Sequence, residues 1–129
     1  MSDIGLNKIA YVDTSKLIIN SNTVKQAQNI RDMQTKEMLK WYDNANNEIQ
    51  KQQTKEAKEA LIKKYEKELT QKKQSIKDNY IKEVKKADSQ MNNIISKKAN
   101  ELGYSIVFKK DALLFGGNDI TSQILPSVK

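Results

Sequence analysis

Apolar side chains recur every three or four residues along most of the segment 21–102, which contains no proline and no glycine. This spacing is typical of an amphipathic helix that packs one face against another helix. Large apolar residues are missing between Ile49 and Leu61. The pattern therefore predicts two antiparallel helical arms, roughly 22–52 and 55–102, that pack against each other.

The apolar stripe of the second arm predicts how tightly the arms pack. From Leu61 to Leu102 it repeats about every 3.7 residues, interrupted once at Lys72. This repeat is longer than the 3.5 residues of a left-handed coiled coil, so we expect arms that are nearly straight or weakly right-handed. Because alanines, tyrosines and one lysine occupy stripe positions, we also expect loose packing that bends easily.

Capping residues mark the ends of the predicted helices. Thr54, followed by acidic residues, is typical of a helix start, and Gly103 is typical of a helix end. Asp13 or Thr14 is expected to cap a short helix over 15–20.

The residues outside the arms predict short strands. Segments 8–13 and 104–108 have β-rich apolar cores between polar ends, and 112–115 indicates a third strand that pairs with the second in a hairpin. Thr121 is expected to cap a terminal helix, and Pro126 should keep that helix short or frayed.

The predicted fold class is α+β and mostly α. A small body, residues 1–21 plus 103–129, contains the strands, and the helical hairpin 22–102, with its tip near 50–56, is inserted in it. A body this small, without disulfides or metal, usually needs oligomerisation to bury enough apolar surface, so we expect an obligate homo-oligomer. The apolar residues expected in this oligomerising body are Ile9, Tyr11, Val12, Ile106, Val107, Phe108, Leu113 and Phe115.

Composition narrows the possible chemistry. The chain contains no cysteine and no histidine, which excludes thiol and imidazole catalysis and the usual zinc sites. Its acidic residues near the body fall at strand ends, turns and caps. We therefore expect no enzyme, no catalytic residue, no metal and no cofactor.

The positive charge is carried almost entirely by lysine. The net charge is +7, and among 23 basic residues only Arg31 is an arginine. Lysines on a solvated helical face explain most of this charge, and they could also attract acidic partners. Specific nucleic-acid recognition is not expected, because base reading and phosphate clamps favour arginine.

The sequence leaves the cellular compartment open. No apolar run is long enough to span a membrane. The first five residues lack the basic and apolar regions of a signal peptide. The protein is therefore expected either to be cytoplasmic or to have lost a signal peptide.

The order of these elements resembles the Skp/OmpH family of periplasmic chaperones over essentially the whole chain. The markers are Val12-Asp13 at a strand end, Gly103-Tyr104 at the exit of the long arm, and Asp119-Ile120-Thr121 before the last helix. The resemblance implies a homotrimer whose bodies pool their strands into a β-barrel and whose arms enclose a cavity. It also implies a periplasmic location and ATP-independent holding of unfolded outer-membrane proteins.

Three functions remain to be compared. A holdase chaperone needs a large, adaptable, weakly apolar surface, which methionines and aromatic residues on flexible arms provide. A structural trimer or scaffold would use every apolar residue for internal packing. A non-specific nucleic-acid binder would use only the lysines.

Three apolar residues of the arms are candidates for contact with a client. Met38, Tyr42, Ala45 and Ile49 share one helix face, which we expect to pack on the second arm. Trp41 is rotated about 100° from Tyr42, so it is predicted to point away from that face. Ile62 and Ile81 are displaced from the second arm's stripe in the same way. The predicted client-facing residues are therefore Trp41, Ile62 and Ile81.

Overall fold

A computed structural model describes residues 9–129 of the chain. Its element order is β1 (Ile9–Val12), α1 (Thr14–Ile19), α2 (Asn22–Gln50), α3 (Lys55–Glu101), β2 (Ile106–Lys109), β3 (Asn118–Asp119) and α4 (Thr121–Val128). Two long helices and a small sheet confirm the predicted α+β, mostly α class. The predicted N-terminal end of the first strand, Lys8, lies outside the described residues.

The three strands form one sheet in the order β2-β1-β3, with both outer strands parallel to β1. Along β1, Ala10 and Val12 are buried while Ile9 and Tyr11 are half-buried. This alternation, which is the normal consequence of strand geometry, places one face of the sheet on the core. β2 is an edge strand, so its outer backbone groups have no strand partner within residues 9–129.

The predicted strand 112–115 is wrong for the single chain. After β2 the chain makes a short 3₁₀ turn at Lys110–Ala112, and the residues before Gly116 pair with no strand among those described. Gly116 and Gly117 have φ of 89° and 78°, values that a side chain disfavours. This glycine turn leads the chain to β3, which pairs with the free edge of β1 instead of with β2.

The second long helix, α3, begins and ends at the predicted capping residues. The Thr54 hydroxyl accepts a hydrogen bond from the Ala57 amide at 3.1 Å, at the start of α3. At its other end Gly103 has φ 85°, and the Tyr104 amide donates to the Ala99 carbonyl at 2.9 Å. Together with the Gly103 amide donating to Asn100, this is the Schellman ending that glycine favours.

The first and last short helices differ in how they are capped. Asp13 caps α1, because its carboxylate accepts a hydrogen bond from the Lys16 amide at 3.1 Å. Thr121 does not cap α4; it is the first helical residue, and Ile120 precedes it without a side-chain cap. α4 runs through Pro126 to Val128. Burial of Ile124 and Val128 on one face stabilises it despite the missing amide donor.

The chain divides into two compact units. Among the described residues, one comprises 9–26 together with Glu83–Lys129, and the other is Ala27–Lys82. The first unit, here called the body, extends further along the helices than the predicted 1–21 plus 103–129. The reason is that the C-terminal part of α3 belongs to the body's core, whose buried members are Ala10, Val12, Leu17, Met91, Ile95, Ala99, Ile120, Ile124 and Val128.

Candidate functional site

The second unit, Ala27–Lys82, is a helical hairpin without a large buried side chain. The structure describes all of it, and its only buried apolar residues are Ala27 and Ala45. Stripe residues such as Leu61, Tyr65 and Lys72 are half-buried. Six large apolar side chains stay exposed, here called the arm apolar set: Ile30, Met33, Leu39, Tyr42, Ile62 and Ile81. Four of these, the members from α2, were not predicted as client-facing residues.

Trp41 faces the second arm, so the predicted direction of its side chain is wrong. Its ring meets the ring of Tyr65 edge to face, with centroids 5.7 Å apart and an interplanar angle of 86°. Trp41 is half-buried, whereas Tyr42 is 45% exposed. The centre of the packed face of α2 lies between these two residues, so each is rotated only about 50° from it. A role for Trp41 in client contact stays a prediction.

Two cation–π contacts join the two helices of this unit. The Lys72 ammonium lies 5.1 Å from the Trp41 ring centroid, so the lysine in the stripe packs over an aromatic face. The guanidinium of Arg31, the chain's one arginine, lies 4.3 Å from the Tyr80 ring centroid. Such contacts stabilise partly exposed surfaces by about 0.5–1 kcal/mol each. They join the helices without a dry apolar core.

The middle of the hairpin is loosely packed, as predicted. A solvent-open gap of about 420 Å³ lies between α2 and α3. Its lining is mostly polar and includes Gln34, Glu37, Gln71, Ser75 and Asn79. The arms are therefore hydrated between the two cation–π contacts.

A smaller and more apolar groove of about 250 Å³ lies nearer the tip of the hairpin. We call it the tip groove, and its lining residues are Trp41, Tyr42, Ala45, Asn46 and Ile49 of α2 and Ile62, Tyr65, Glu66 and Leu69 of α3. The structure thus brings the predicted Trp41 and Ile62 to one groove. Ile81 is exposed on the same helix but does not line it.

The body also exposes large apolar side chains. The exposed fractions are 47% for Ile106, 38% for Phe108, 94% for Leu114 and 85% for Phe115; we call these four the body apolar set. Ile106 and Phe108 are two residues apart, so they share one face of the edge strand β2. Of the other residues predicted for the body, Val12 is in the chain's own core, and Ile9, Tyr11, Val107 and Leu113 are half-buried. Sequence reasoning missed Leu114.

A polar network at one end of the sheet explains two of the sequence markers. The buried Thr121 hydroxyl accepts a hydrogen bond from the Asp13 amide at 2.9 Å and donates to the Asp119 carboxylate at 2.6 Å. The Thr121 amide donates to the same carboxylate at 3.0 Å, so Asp119 orders this turn. The hydroxyl hydrogen bond lowers the pKa of Asp119, and the amide hydrogen bond and the charges of Lys110 and Lys16 act in the same direction.

Two further observations limit the chemistry of the described part of the chain. Within residues 9–129, no group of three or more acidic, cysteine or histidine side chains is placed to hold a metal ion. No helix in this range is long and apolar enough to cross a membrane.

Comparison with solved structures supports the fold. A candidate outer membrane chaperone (OmpH-like) from Caulobacter crescentus CB15 matches with a TM-score of 0.60 at 12% sequence identity. The match covers 99% of this chain and 87% of that chain. No curated protein and no family model matches the sequence. The chain therefore has the OmpH-like fold, and its resemblance to the Skp/OmpH chaperones is confirmed at the level of structure.

Proposed function

We propose that the protein is an ATP-independent holdase chaperone that keeps unfolded outer-membrane proteins from aggregating. The observation that carries this proposal is the arm apolar set on the Ala27–Lys82 hairpin. A scaffold helix would bury such residues, whereas this hairpin keeps them accessible beside hydrated gaps. The OmpH-like fold of the solved relative adds independent support for a chaperone function.

Several weak apolar contacts suit a client without a fixed structure. Each member of the arm apolar set is between 38% and 59% exposed, so each still has surface to bury on a client. The Met33 side chain is flexible and the Tyr42 side chain is amphipathic. Both properties favour binding of clients with many different sequences. The proposal assigns no catalytic residue and no cofactor.

The lysine surface would accelerate capture rather than determine selectivity. The chain's net charge of +7, carried by diffuse lysine side chains, attracts acidic unfolded chains at long range. Added salt should therefore slow capture more than it changes release, because screening acts mainly on the encounter.

The active form in this proposal is a homotrimer. The body apolar set lies on the edge strand β2 and on the loop that follows it, where another protomer could cover the apolar side chains and pair with the strand edge. Three bodies joined in this way would leave the arms to enclose one client. A periplasmic location follows from the same resemblance.

A dilution experiment tests the function. A urea-unfolded outer-membrane barrel protein is diluted into buffer with the protein and without nucleotide, and turbidity is followed. Holding activity predicts suppressed turbidity, whereas unchanged turbidity at several-fold excess of the protein favours the scaffold function. A parallel assay with non-specific DNA at two salt concentrations tests the nucleic-acid alternative.

A further inference from the structure

We propose that the tip groove is a binding subsite for one aromatic side chain of the unfolded client. This inference rests on the proposed holding function and names the part of the arm with the greatest selectivity. It follows from the size of the groove, the orientation of its aromatic rings and its low charge.

The size of the groove suits a single ring. Its volume is about 250 Å³, whereas an apolar protein cavity of about 150 Å³ accommodates benzene. A phenyl, phenol or indole group therefore fits. Ala45 contributes to this space, because its small side chain leaves room between Trp41 and Ile49, one turn away on either side.

The walls offer an entering ring favourable geometry. The ring planes of Trp41 and Tyr65 are nearly perpendicular, at 86°, so the groove presents both a ring edge and a ring face. Tyr42 adds a third ring that is 45% exposed. Aromatic rings prefer edge-to-face and offset arrangements, and these contacts add to the gain from burying apolar area. An aliphatic side chain of similar size would obtain only the area term.

The lining of the groove disfavours an acidic occupant. The chain carries 23 basic residues, yet the only charged residue in the lining is Glu66. Lys72 follows the lining residue Leu69 in the stripe of α3. Its ammonium lies over the Trp41 ring, so Lys72 is near the groove but does not line it. A phenylalanine, tyrosine or tryptophan side chain meets this requirement, whereas an acidic side chain would face Glu66.

The proposed clients supply such side chains in number. Outer-membrane barrels carry girdles of aromatic residues at both membrane interfaces, and these residues are exposed when the barrel is unfolded. A groove that accepts one ring can therefore engage many positions of one client. Such a subsite gives selectivity for the class of client without requiring a sequence motif.

Capped five-residue peptides provide the probe. Three peptides carry phenylalanine, leucine or alanine at the centre, flanked by glycine and serine, and each is titrated into the full-length protein. Trp41 emission and saturation-transfer NMR of the peptide report binding, because Trp41 lines the groove. We expect the phenylalanine peptide to bind at least five-fold more tightly than the leucine peptide, and the alanine peptide to bind below detection.

Two isoleucines of α3 give a matched pair of variants. Ile62 and Ile81 are both 38% exposed, but only Ile62 lines the tip groove. Ile62→Gln, which removes apolar area from the groove, should weaken binding of the phenylalanine peptide at least five-fold, whereas Ile81→Gln should leave it unchanged. Ala45→Leu, which fills the groove from α2, should abolish binding of the phenylalanine peptide. Far-ultraviolet circular dichroism confirms that each variant keeps its helices.

Three outcomes would overturn the inference. Equal binding of the phenylalanine and leucine peptides removes the aromatic subsite, as does an equal loss of phenylalanine-peptide binding in Ile62→Gln and Ile81→Gln. A change of oligomeric state in Ile62→Gln alone would make the groove an interface between copies. If the wild type still suppresses client turbidity in these cases, only the subsite is wrong; if suppression fails, the proposed function itself is wrong.

Discussion

The body apolar set gives the sharpest prediction about assembly. Leu114 and Phe115 are 94% and 85% exposed in the single chain, so a trimer interface could bury almost the whole of each side chain. We predict that Leu114→Ser combined with Phe115→Ser dissociates the proposed trimer at micromolar concentration while helix content is retained. Both residues precede the glycine turn and neither belongs to the body's buried core, so the fold itself should tolerate the change.

The expected magnitude follows from buried area. Full burial of a large apolar side chain contributes about 1.5–3 kcal/mol, so the pair contributes about 4 kcal/mol per protomer and about 12 kcal/mol per trimer. Because 1.4 kcal/mol is a factor of ten, the equilibrium constant changes by a factor of about 10⁸–10⁹. For three chains in one complex the midpoint concentration varies as the square root of this constant, so it rises about 10⁴-fold. Even half this burial raises it about 100-fold.

Light scattering coupled to size exclusion measures the effect over a concentration series. A matched control, Ile30→Ser with Ile81→Ser, removes two exposed apolar side chains from the hairpin unit and should leave the trimer intact. The reasoning is refuted if the wild type is monomeric throughout the series, or if the Leu114 and Phe115 variant associates at the same concentration as the wild type.

Three further predictions concern stability. Thr121→Val leaves the Asp13 amide without its acceptor and should lower the free energy of unfolding in urea by about 2–4 kcal/mol. The control Thr23→Val removes an exposed hydrogen bond of 3.3 Å and should lower it by less than about 0.5 kcal/mol. Equal losses in the two variants would contradict the network. The pKa of Asp119 is lowered below its ordinary 3.8, so the stability that its carboxylate contributes is present above that pH and is lost as pH falls through the folded-state pKa. The difference in unfolding free energy between wild type and Asp119→Asn should therefore stay constant from pH 7 to about 5 and narrow at lower pH. A difference that does not vary with pH would be contrary evidence. Lys72→Gln removes the cation above the indole and should cost about 0.5–1 kcal/mol while changing Trp41 emission; unchanged emission would place the ammonium elsewhere.

The ends of the helices could be predicted from sequence because single residues determine them. Thr54 offers its hydroxyl to a free amide, and Gly103 adopts the positive φ that closes α3. The stripe of α3 was also predictable, since it depends only on spacing along one helix. Even its interruption at Lys72 proved to be a half-buried position.

The rotational position of α2 could not be predicted to better than about 50°. Trp41 and Tyr42 fit the helical period of the packed face of α2 almost equally well. Contacts with α3 determine which of the two side chains is covered. The same contacts place Arg31 over Tyr80, a pair separated by most of the hairpin in sequence. Periodicity within one helix contains no information about such partners.

The third strand was mispredicted because strand formation depends on an available edge. Segment 112–115 has strand-like composition, but β3 takes the free edge of β1 after the glycine turn. The apolar composition of Leu114 and Phe115 was therefore detectable from sequence, while their exposure in the single chain was not.

Holding of an unfolded client by the arms without nucleotide is tested most directly by light scattering. The protein is titrated against a fixed concentration of a urea-diluted outer-membrane barrel protein, and scattered light is recorded. We predict that scattering falls to baseline without ATP, with a break near three chains per client. Scattering that stays unchanged at several-fold excess, or that falls only when ATP is added, would contradict it.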